Sequence, residues 1–141
     1  MASAANPVTI LLVDDDDFLR RFIRHVLTGE GFQVIEAGDG AEALKAASAY
    51  AGPIHLLLTD VIMPRINGLL LAERLLRDRP DTRVLYLSGY VESSMLLAKR
   101  PGSVLLQKPC TPDCLIAAVR HVLDLKSSSE ERRSSPPMAP A

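Results

Sequence analysis

The chain has 141 residues and a formal net charge of −1, with 48% hydrophobic and 23% charged residues. This length suits one domain with its own core, and the balance of residue types excludes a mostly disordered chain. The near-zero charge provides no basic surface for nucleic acid or an anionic membrane, and no apolar run approaches the ~20 residues of a membrane span. Residues 1–8 form an extension without signal-peptide features, so we expect a cytoplasmic protein.

Five short aliphatic runs recur along the chain, and each has the length of a β-strand. They are TILLV (9–13), QVIEA (33–37), HLLLT (55–59), RVLYLS (83–88) and SVLLQ (103–107). All but the second are nearly continuous aliphatic, which is typical of parallel strands buried on both faces of a sheet. Because amphipathic stretches alternate with these runs, the sequence predicts an α/β fold with right-handed crossovers.

The stretches between the runs carry apolar residues at helical spacing, and we expect those residues to pack onto the sheet. In the first helix they are Phe18, Phe22, Ile23, Val26 and Leu27, and in the third Leu71, Leu75 and Leu76. A fourth helix is predicted within 92–99. The ordered domain spans 9–126, because the Ser/Pro-rich segment 127–141 lacks the aliphatic residues needed to offset its ordering entropy and is predicted to be a disordered tail.

Polar residues collect where the predicted strands end. Asp14 and Asp15 follow the first strand, Asp60 the third, Ser88 the fourth and Lys108 the fifth. Ligands of open parallel sheets bind outside these carboxyl ends. The second strand contributes no such residue, which suits an edge position. If the strand order is 2-1-3-4-5, the aspartates of strands one and three converge.

Carboxylates brought this close raise one another's pKa unless a cation lies between them, and oxygen-only ligands favour Mg²⁺. We therefore expect Asp14 and Asp15 to hold a metal ion. Asp16 or Asp17 fits better as the cap of the following helix. A reading in which all four aspartates are caps or solvated charges does not explain the polar ends of the three other strands.

Cysteines and histidines give no comparable signal. Cys110 and Cys114 lie four residues apart in a chain without a signal peptide, and reduced thiols are the expectation. His25, His55 and His121 are scattered singly, so the ligands for a zinc-type site do not cluster.

Four motifs, in this order, resemble the receiver domain of two-component response regulators from about residue 9 to about residue 126. They are the acidic pair in LLVDDDD, the D-x-x-M-P-x-x-x-G spacing in TDVIMPRINGLLL, the SG of LYLSGY and the KP of LLQKPCT. The amino-acid sequence of these motifs is most similar to receivers of hybrid sensor kinases and to stand-alone receivers. The resemblance implies a flavodoxin-like (βα)5 fold, a doubly wound parallel five-stranded sheet of order 2-1-3-4-5.

The resemblance also implies a chemistry. Asp60 is the expected phosphoacceptor, which takes a phosphoryl group from the phosphohistidine of a sensor histidine kinase or from a small donor such as acetyl phosphate. The cofactor is Mg²⁺, held by Asp14, Asp15, Asp60 and the backbone carbonyl of Ile62. Lys108 adds a fixed positive charge, and the transfer depends mainly on positioning and electrostatics.

The expected switch and pocket residues are Ser88, Gly89, Tyr90, Leu105 and Pro109. The Ser88 hydroxyl would donate to the phosphoryl group, Gly89 would keep the pocket open, and a cis peptide bond before Pro109 would aim the lysine inward. Receivers usually carry an aromatic residue where Leu105 stands. An aromatic rotamer switch is therefore not expected from this strand, with Tyr90 as a candidate substitute.

The expected function is a phosphorylatable switch of protein contacts rather than an enzyme, since it acts at most on its own phosphorylation and dephosphorylation. Its partners are a sensor histidine kinase or phosphotransfer protein and an unknown downstream protein, without direct DNA or membrane binding, and the chain is expected to be a monomer or weak dimer.

One alternative is a phosphorylation-independent interaction module. Another is a haloacid-dehalogenase-like phosphatase using Asp14 and Asp16. A flavodoxin-like cofactor binder is disfavoured because the carboxylates would repel phosphate.

Overall fold

The computed structural model describes residues 7–89 and 104–134, with side chains described as far as residue 124 in the last helix. Strands and helices alternate, and the bounds of these elements are β1 Thr9–Val13, α1 Asp17–Gly29, β2 Gln33–Ala37, α2 Gly40–Ala49, β3 Leu56–Asp60, α3 Gly68–Asp78, β4 Arg83–Ser88, β5 Val104–Gln107 and α4 Pro112–Ser134. The helix predicted within 92–99 lies outside the described residues. Among the helices that are described, none has the length and apolar character to span a membrane.

The sheet has five parallel strands in the order β2-β1-β3-β4-β5, which confirms the predicted flavodoxin-like arrangement with the second strand at an edge. The register brings the carboxyl ends of neighbouring strands level. Val13 of β1 pairs with Ala37 of β2 and Thr59 of β3, while Asp60 pairs with Leu87 of β4. Asp14 and Asp60 therefore leave adjacent strands at the same edge.

Two hydrophobic layers cover the two faces of the sheet, because alternate residues of a strand point to opposite faces. Helices α2 and α3 pack on one face, where the buried residues include Leu11, Val13, Leu57, Ala43, Ala47, Leu71 and Leu75. Helices α1 and α4 pack on the other face, where they include Ile10, Leu12, Leu58, Ile23, Leu27, Leu115 and Val119. Helices on both faces account for the fully buried β1 and β3.

Helix α1 only partly follows the apolar pattern of its sequence. Ile23 and Leu27 are buried as expected, but Phe18 is 84% exposed and Phe22 is 41% exposed. At 3.6 residues per turn, Phe18 points about 140° away from Ile23 around the helix axis. The prediction that both phenylalanines pack onto the sheet was therefore wrong, and they form an aromatic strip on the outer face of α1.

Acidic side chains cap the first two helices as their residue types favour. The Leu19 N–H donates to Asp16 Oδ1 at 3.1 Å, so Asp16 is the cap of α1. The Glu42 N–H donates to Asp39 Oδ1 at 2.7 Å at the start of α2. The capping role expected for one of the later aspartates of the LLVDDDD run thus belongs to Asp16.

Helix α4 continues to Ser134, into the segment for which the composition predicts a disordered tail. Residues 135–141 lie outside the described residues. The EERR stretch at 130–133 consists of good helix formers, and extending an existing helix avoids the cost of nucleating a new one. The disordered tail at 127–141 stays a prediction.

Gly68 is the glycine of the D-x-x-M-P-x-x-x-G motif, and its contacts explain why a glycine is needed there. Its N–H donates to the Val61 carbonyl at 2.8 Å, and a Cβ placed on it would overlap the backbone carbonyl oxygen of Asp60. The start of α3 thus rests directly on the backbone that ends β3. Only a residue without a side chain permits this approach.

We predict that Gly68→Ala lowers the free energy of unfolding by about 1–3 kcal/mol, because the backbone of Asp60 must move to accommodate the new methyl group. Urea denaturation measures the change. Gly29→Ala is the matched control, since among the described residues no atom beyond its chain neighbours and its own helix backbone lies within 4 Å of that added methyl. Equal unfolding midpoints for Gly68→Ala and the wild type would contradict the assigned steric role.

Candidate functional site

Asp14 lies directly after β1 and is fully buried. Its N–H donates to the Ala37 carbonyl at 3.2 Å, and its Oδ1 accepts the Asp16 N–H at 2.9 Å. Its own carbonyl accepts from Nη1 of Arg20 at 2.8 Å. Its second carboxylate oxygen, Oδ2, makes no hydrogen bond to any residue that the structure describes, and it faces the ammonium group of Lys108 at 3.4 Å.

Asp60 is the last residue of β3 and is also buried. Its Oδ2 lies 3.2 Å from Nζ of Lys108, so the lysine lies between the two buried carboxylates. The Lys108 N–H donates to the Ser88 carbonyl at 2.9 Å, and the Lys108-Pro109 peptide bond is cis, as the family resemblance implied. The structure therefore brings together Asp14, Asp60 and Lys108 from three separate strands.

The electrostatics of this group follow from burial. Loss of solvent, followed by the charge of Asp14, raises the pKa of Asp60 to about 6 despite Lys108. Loss of solvent likewise raises the pKa of Asp14, against the opposing effects of the Asp16 N–H and Lys108. Burial lowers the pKa of Lys108, but the two carboxylates outweigh it and the net shift is upward. One lysine does not fully compensate two buried carboxylates.

Asp15 completes an acidic cluster. Asp14, Asp15 and Asp60 each offer a carboxylate oxygen, and these oxygens lie within 4.8 Å of one another. Mg²⁺ holds oxygen ligands at about 2.0–2.1 Å, so modest side-chain movements bring all three to one ion. The cluster could thus bind a metal. Asp16 is outside it as the helix cap, and Asp17 instead lies 2.8 Å from Arg20.

Ser88 ends β4 at the same edge of the sheet. Its side chain is buried, and its Oγ has no hydrogen-bond partner within the described part of the chain. Gly89 is half-buried directly after it, and Pro109 is exposed. A buried hydroxyl without a partner is uncommon in native proteins, so this atom remains available for a group entering the pocket.

Leu105 lies in β5, paired with Tyr86 of β4, and packs partly buried against the core layer that contains Tyr86. Its aliphatic side chain has no ring to rotate, and the lack of an aromatic switch in β5 stays a prediction. Tyr90 lies outside the described residues. Ile62 is exposed two residues after Asp60, and the role of its carbonyl stays a prediction.

Sequence reasoning missed Arg20 and Glu36. Arg20 Nε donates to Glu36 Oε1 at 3.1 Å while its Nη1 reaches the carbonyl of Asp14. The recurrence of arginine within α1 next to the acidic run was a signal, but the strand pairing that brings Glu36 close was needed to interpret it. Cys110 and Cys114 are free, as expected.

Comparisons with known proteins agree with this geometry. Over 118 residues the chain is 31% identical to the sensor kinase CckA of Brucella abortus, covering 82% of this chain but 12% of that protein. It is 36% identical over 131 residues to the aerobic respiration control protein ArcA of Escherichia coli K12, covering 89% of this chain and 54% of that protein. The chain thus spans only part of these relatives.

A CheY-like response regulator receiver domain protein from Methanospirillum hungatei superimposes with a TM-score of 0.76 at 25% identity, covering 88% of this chain and 99% of that chain. The family model described as "Response regulator receiver domain" matches residues 10–120. The site at the carboxyl ends of the strands, the strand order and this match agree, and the chain belongs to the response regulator receiver domain family of two-component signalling.

Proposed function

We propose that the protein is a phosphorylatable switch that accepts a phosphoryl group on Asp60, with Mg²⁺ as cofactor, and changes its protein contacts in response. The donor is the phosphohistidine of a sensor histidine kinase or a phosphotransfer protein. The observation that carries this proposal is the buried pair Asp14 and Asp60 facing one lysine at the carboxyl ends of their strands. This arrangement leaves negative charge uncompensated where a cation and a phosphoryl group would enter.

In this proposal a carboxylate oxygen of Asp60 attacks phosphorus, and the new P–O bond forms while the P–N bond of the donor breaks. The electron pair of that bond stays with the imidazole nitrogen. Lys108, which is 3.2 Å from Asp60 Oδ2, stabilises the charge on the transferring group and holds the nucleophile in place. A bound Mg²⁺ supplies further neutralisation of the phosphoryl oxygens.

The residues that would hold the ion are Asp14, Asp15, Asp60 and the carbonyl of Ile62. The Oδ2 of buried Asp14 supports this set, because it makes no hydrogen bond to a described residue and is balanced only by the ammonium group of Lys108, which it shares with Asp60. Asp15 is exposed at the mouth of the cluster and would complete the ligand set from the solvent side. Hard oxygen ligands of this kind favour Mg²⁺ over softer metals.

Ser88 is proposed to sense the modification. Its buried Oγ has no hydrogen-bond partner among the described residues and would gain one when phosphorylated Asp60 offers an acceptor, which draws the carboxyl end of β4 inward. The packed position of Leu105 supports the absence of an aromatic rotation in β5. The leucine at position 105 also favours the second candidate function, which is an interaction module whose contacts do not depend on phosphorylation.

Other chemistries have less support. A haloacid-dehalogenase-like phosphatase would need Asp16 in the site, but Asp16 instead accepts the Leu19 N–H as the cap of α1. Receivers act as signalling switches rather than as conventional enzymes, and we propose the same here. The cytoplasmic location, the lack of direct DNA binding and the monomeric or weakly dimeric state stay predictions.

The exposed aromatic strip of α1 suits contact with the phosphoryl donor protein. Phe18 and Phe22 lie one turn apart, and Phe18 directly follows the acidic run. Ile62, the other exposed large hydrophobic residue of the described chain, is two residues from Asp60. Apolar side chains that border a charged pocket favour a protein surface there, whereas a small phosphoryl donor needs only the pocket.

We predict that acetyl phosphate with Mg²⁺ adds one phosphoryl group per chain, measured by intact-protein mass spectrometry. Asp60→Asn should gain none, because the amide is not a nucleophile. Asp78→Asn, at the exposed carboxyl end of α3, is the matched control and should be labelled like the wild type. Equal labelling of Asp60→Asn and the wild type would exclude Asp60 as the acceptor.

A pH dependence follows from the raised pKa of Asp60, about 6 in the folded protein against 3.8 for an aspartate in an unfolded chain. Between these values the folded state binds more protons than the unfolded state, so without metal the free energy of unfolding should fall as pH rises through this window. Mg²⁺ binds the ionised carboxylates. The rise in melting temperature caused by Mg²⁺ should therefore be larger near about pH 7.5 than near about pH 5.

Thermal unfolding with EDTA or with Mg²⁺ at both pH values measures this effect. Asp60→Asn should lose most of the difference, whereas Asp78→Asn should keep it. A stabilisation by Mg²⁺ that is equal at both pH values in the wild type would count against binding at these carboxylates.

We predict that Phe18→Ala and Phe22→Ala each slow transfer from an autophosphorylated histidine kinase, chosen from a panel for its transfer to the wild type, by about tenfold. Labelling by acetyl phosphate should be unchanged, because these exposed side chains are not part of the pocket. Arg77→Ala on the exposed face of α3 is the control. An unchanged kinase rate, or a matching loss with acetyl phosphate, would refute a docking role.

A further inference from the structure

We propose that Arg20 is a positioning residue that holds Asp14 in the geometry needed for Mg²⁺, an inference that rests on the proposed function. Arg20 is the basic residue of α1 whose side chain reaches the site, and that side chain is only 13% exposed. Nη1 donates to the backbone carbonyl of Asp14 at 2.8 Å. Arg20 does not contact the proposed ligand atoms, so its effect on the ion would pass through the backbone of Asp14.

The bond from Arg20 completes a set of restraints around Asp14. The N–H of Asp14 is tied to Ala37 of β2, and its Oδ1 is tied to the N–H of Asp16. The carbonyl is tied to Arg20. Within the described part of the chain, Oδ2 is then the one polar atom of Asp14 without a hydrogen bond, and it lies beside Lys108. Groups that orient a metal ligand typically change metal affinity about 10–100-fold when removed.

A cation close to a metal site would ordinarily weaken the binding of another cation. Two carboxylates offset the charge of Arg20: Asp17 lies 2.8 Å from Nη1 and Glu36 lies 3.1 Å from Nε. The guanidinium can thus act as a hydrogen-bond donor to Asp14 with its charge locally compensated. These contacts also join the start of α1 to the edge strand β2.

Two effects of removing Arg20 have opposite signs, and this makes the inference testable. Loss of a positive charge alone should strengthen Mg²⁺ binding, whereas loss of positioning should weaken it. Arg24 provides the matched control. It pairs with the other oxygen of Glu36 at 2.8 Å, is 46% exposed and has no described contact with Asp14.

The experiment compares the full chain of the wild type, Arg20→Gln, Arg20→Lys and Arg24→Gln by calorimetric titration with Mg²⁺, below the unfolding temperature of each protein. We expect Arg20→Gln to bind about tenfold more weakly. Arg20→Lys, which keeps one donor and the charge, should recover part of the affinity. Arg24→Gln should bind Mg²⁺ as tightly as the wild type or slightly more tightly.

A second measurement needs no metal. Hydrogen exchange of the Asp16 N–H, followed by NMR in EDTA, reports whether Asp14 Oδ1 stays in place, and exchange should be faster in Arg20→Gln but not in Arg24→Gln. Mg²⁺ binding by Arg20→Gln at wild-type strength, or an equal loss in Arg24→Gln, overturns the inference. If the wild type binds no Mg²⁺ but the exchange differs as expected, the proposed metal site fails while the positioning of Asp14 stands.

Discussion

The central constraint in this protein is the forced proximity of two buried carboxylates. Asp14 and Asp60 leave adjacent parallel strands at the same edge, and the single ammonium group of Lys108 lies within 3.4 Å of both. Burial of like charges is unfavourable, and it raises the pKa of Asp60 to about 6. The sheet order and the close approach of Gly68 to the backbone of Asp60 hold the two carboxylates at one edge, so the fold itself sustains this unfavourable interaction.

Much of the fold could be predicted from the sequence, because strands that are buried on both faces of the sheet are continuous aliphatic runs in the sequence. The runs 9–13, 33–37 and 83–88 coincide with β1, β2 and β4. The strand order could not be predicted in this way, because no local pattern specifies which strands are neighbours. It came from the family resemblance, and the structure confirmed it. The residues brought together at the site were likewise predictable, since the carboxyl ends of parallel strands must share one edge.

The features that were missed depend on contacts distant in the chain. Helical spacing identifies apolar residues but does not decide which of them face the sheet, and Phe18 proved exposed while Ile23 is buried. The bonds from Arg20 to Asp14 and Glu36 require β1, β2 and α1 to be assembled first. Composition also gave no sign that α4 runs to Ser134, because a helix nucleated upstream can continue through polar residues.

In the proposed function one domain accepts a phosphoryl group and also changes a surface, and Leu105 in β5 concerns only the second of these tasks. The charged groups of the site lie at the carboxyl ends of β1, β3 and β5. Leu105 contributes only packing against the core around Tyr86. In the proposed function, a substitution at this position would alter how the phosphorylated state changes a surface without disturbing the carboxylates. The residue at this position can therefore change in evolution while the charged residues at the strand ends stay the same.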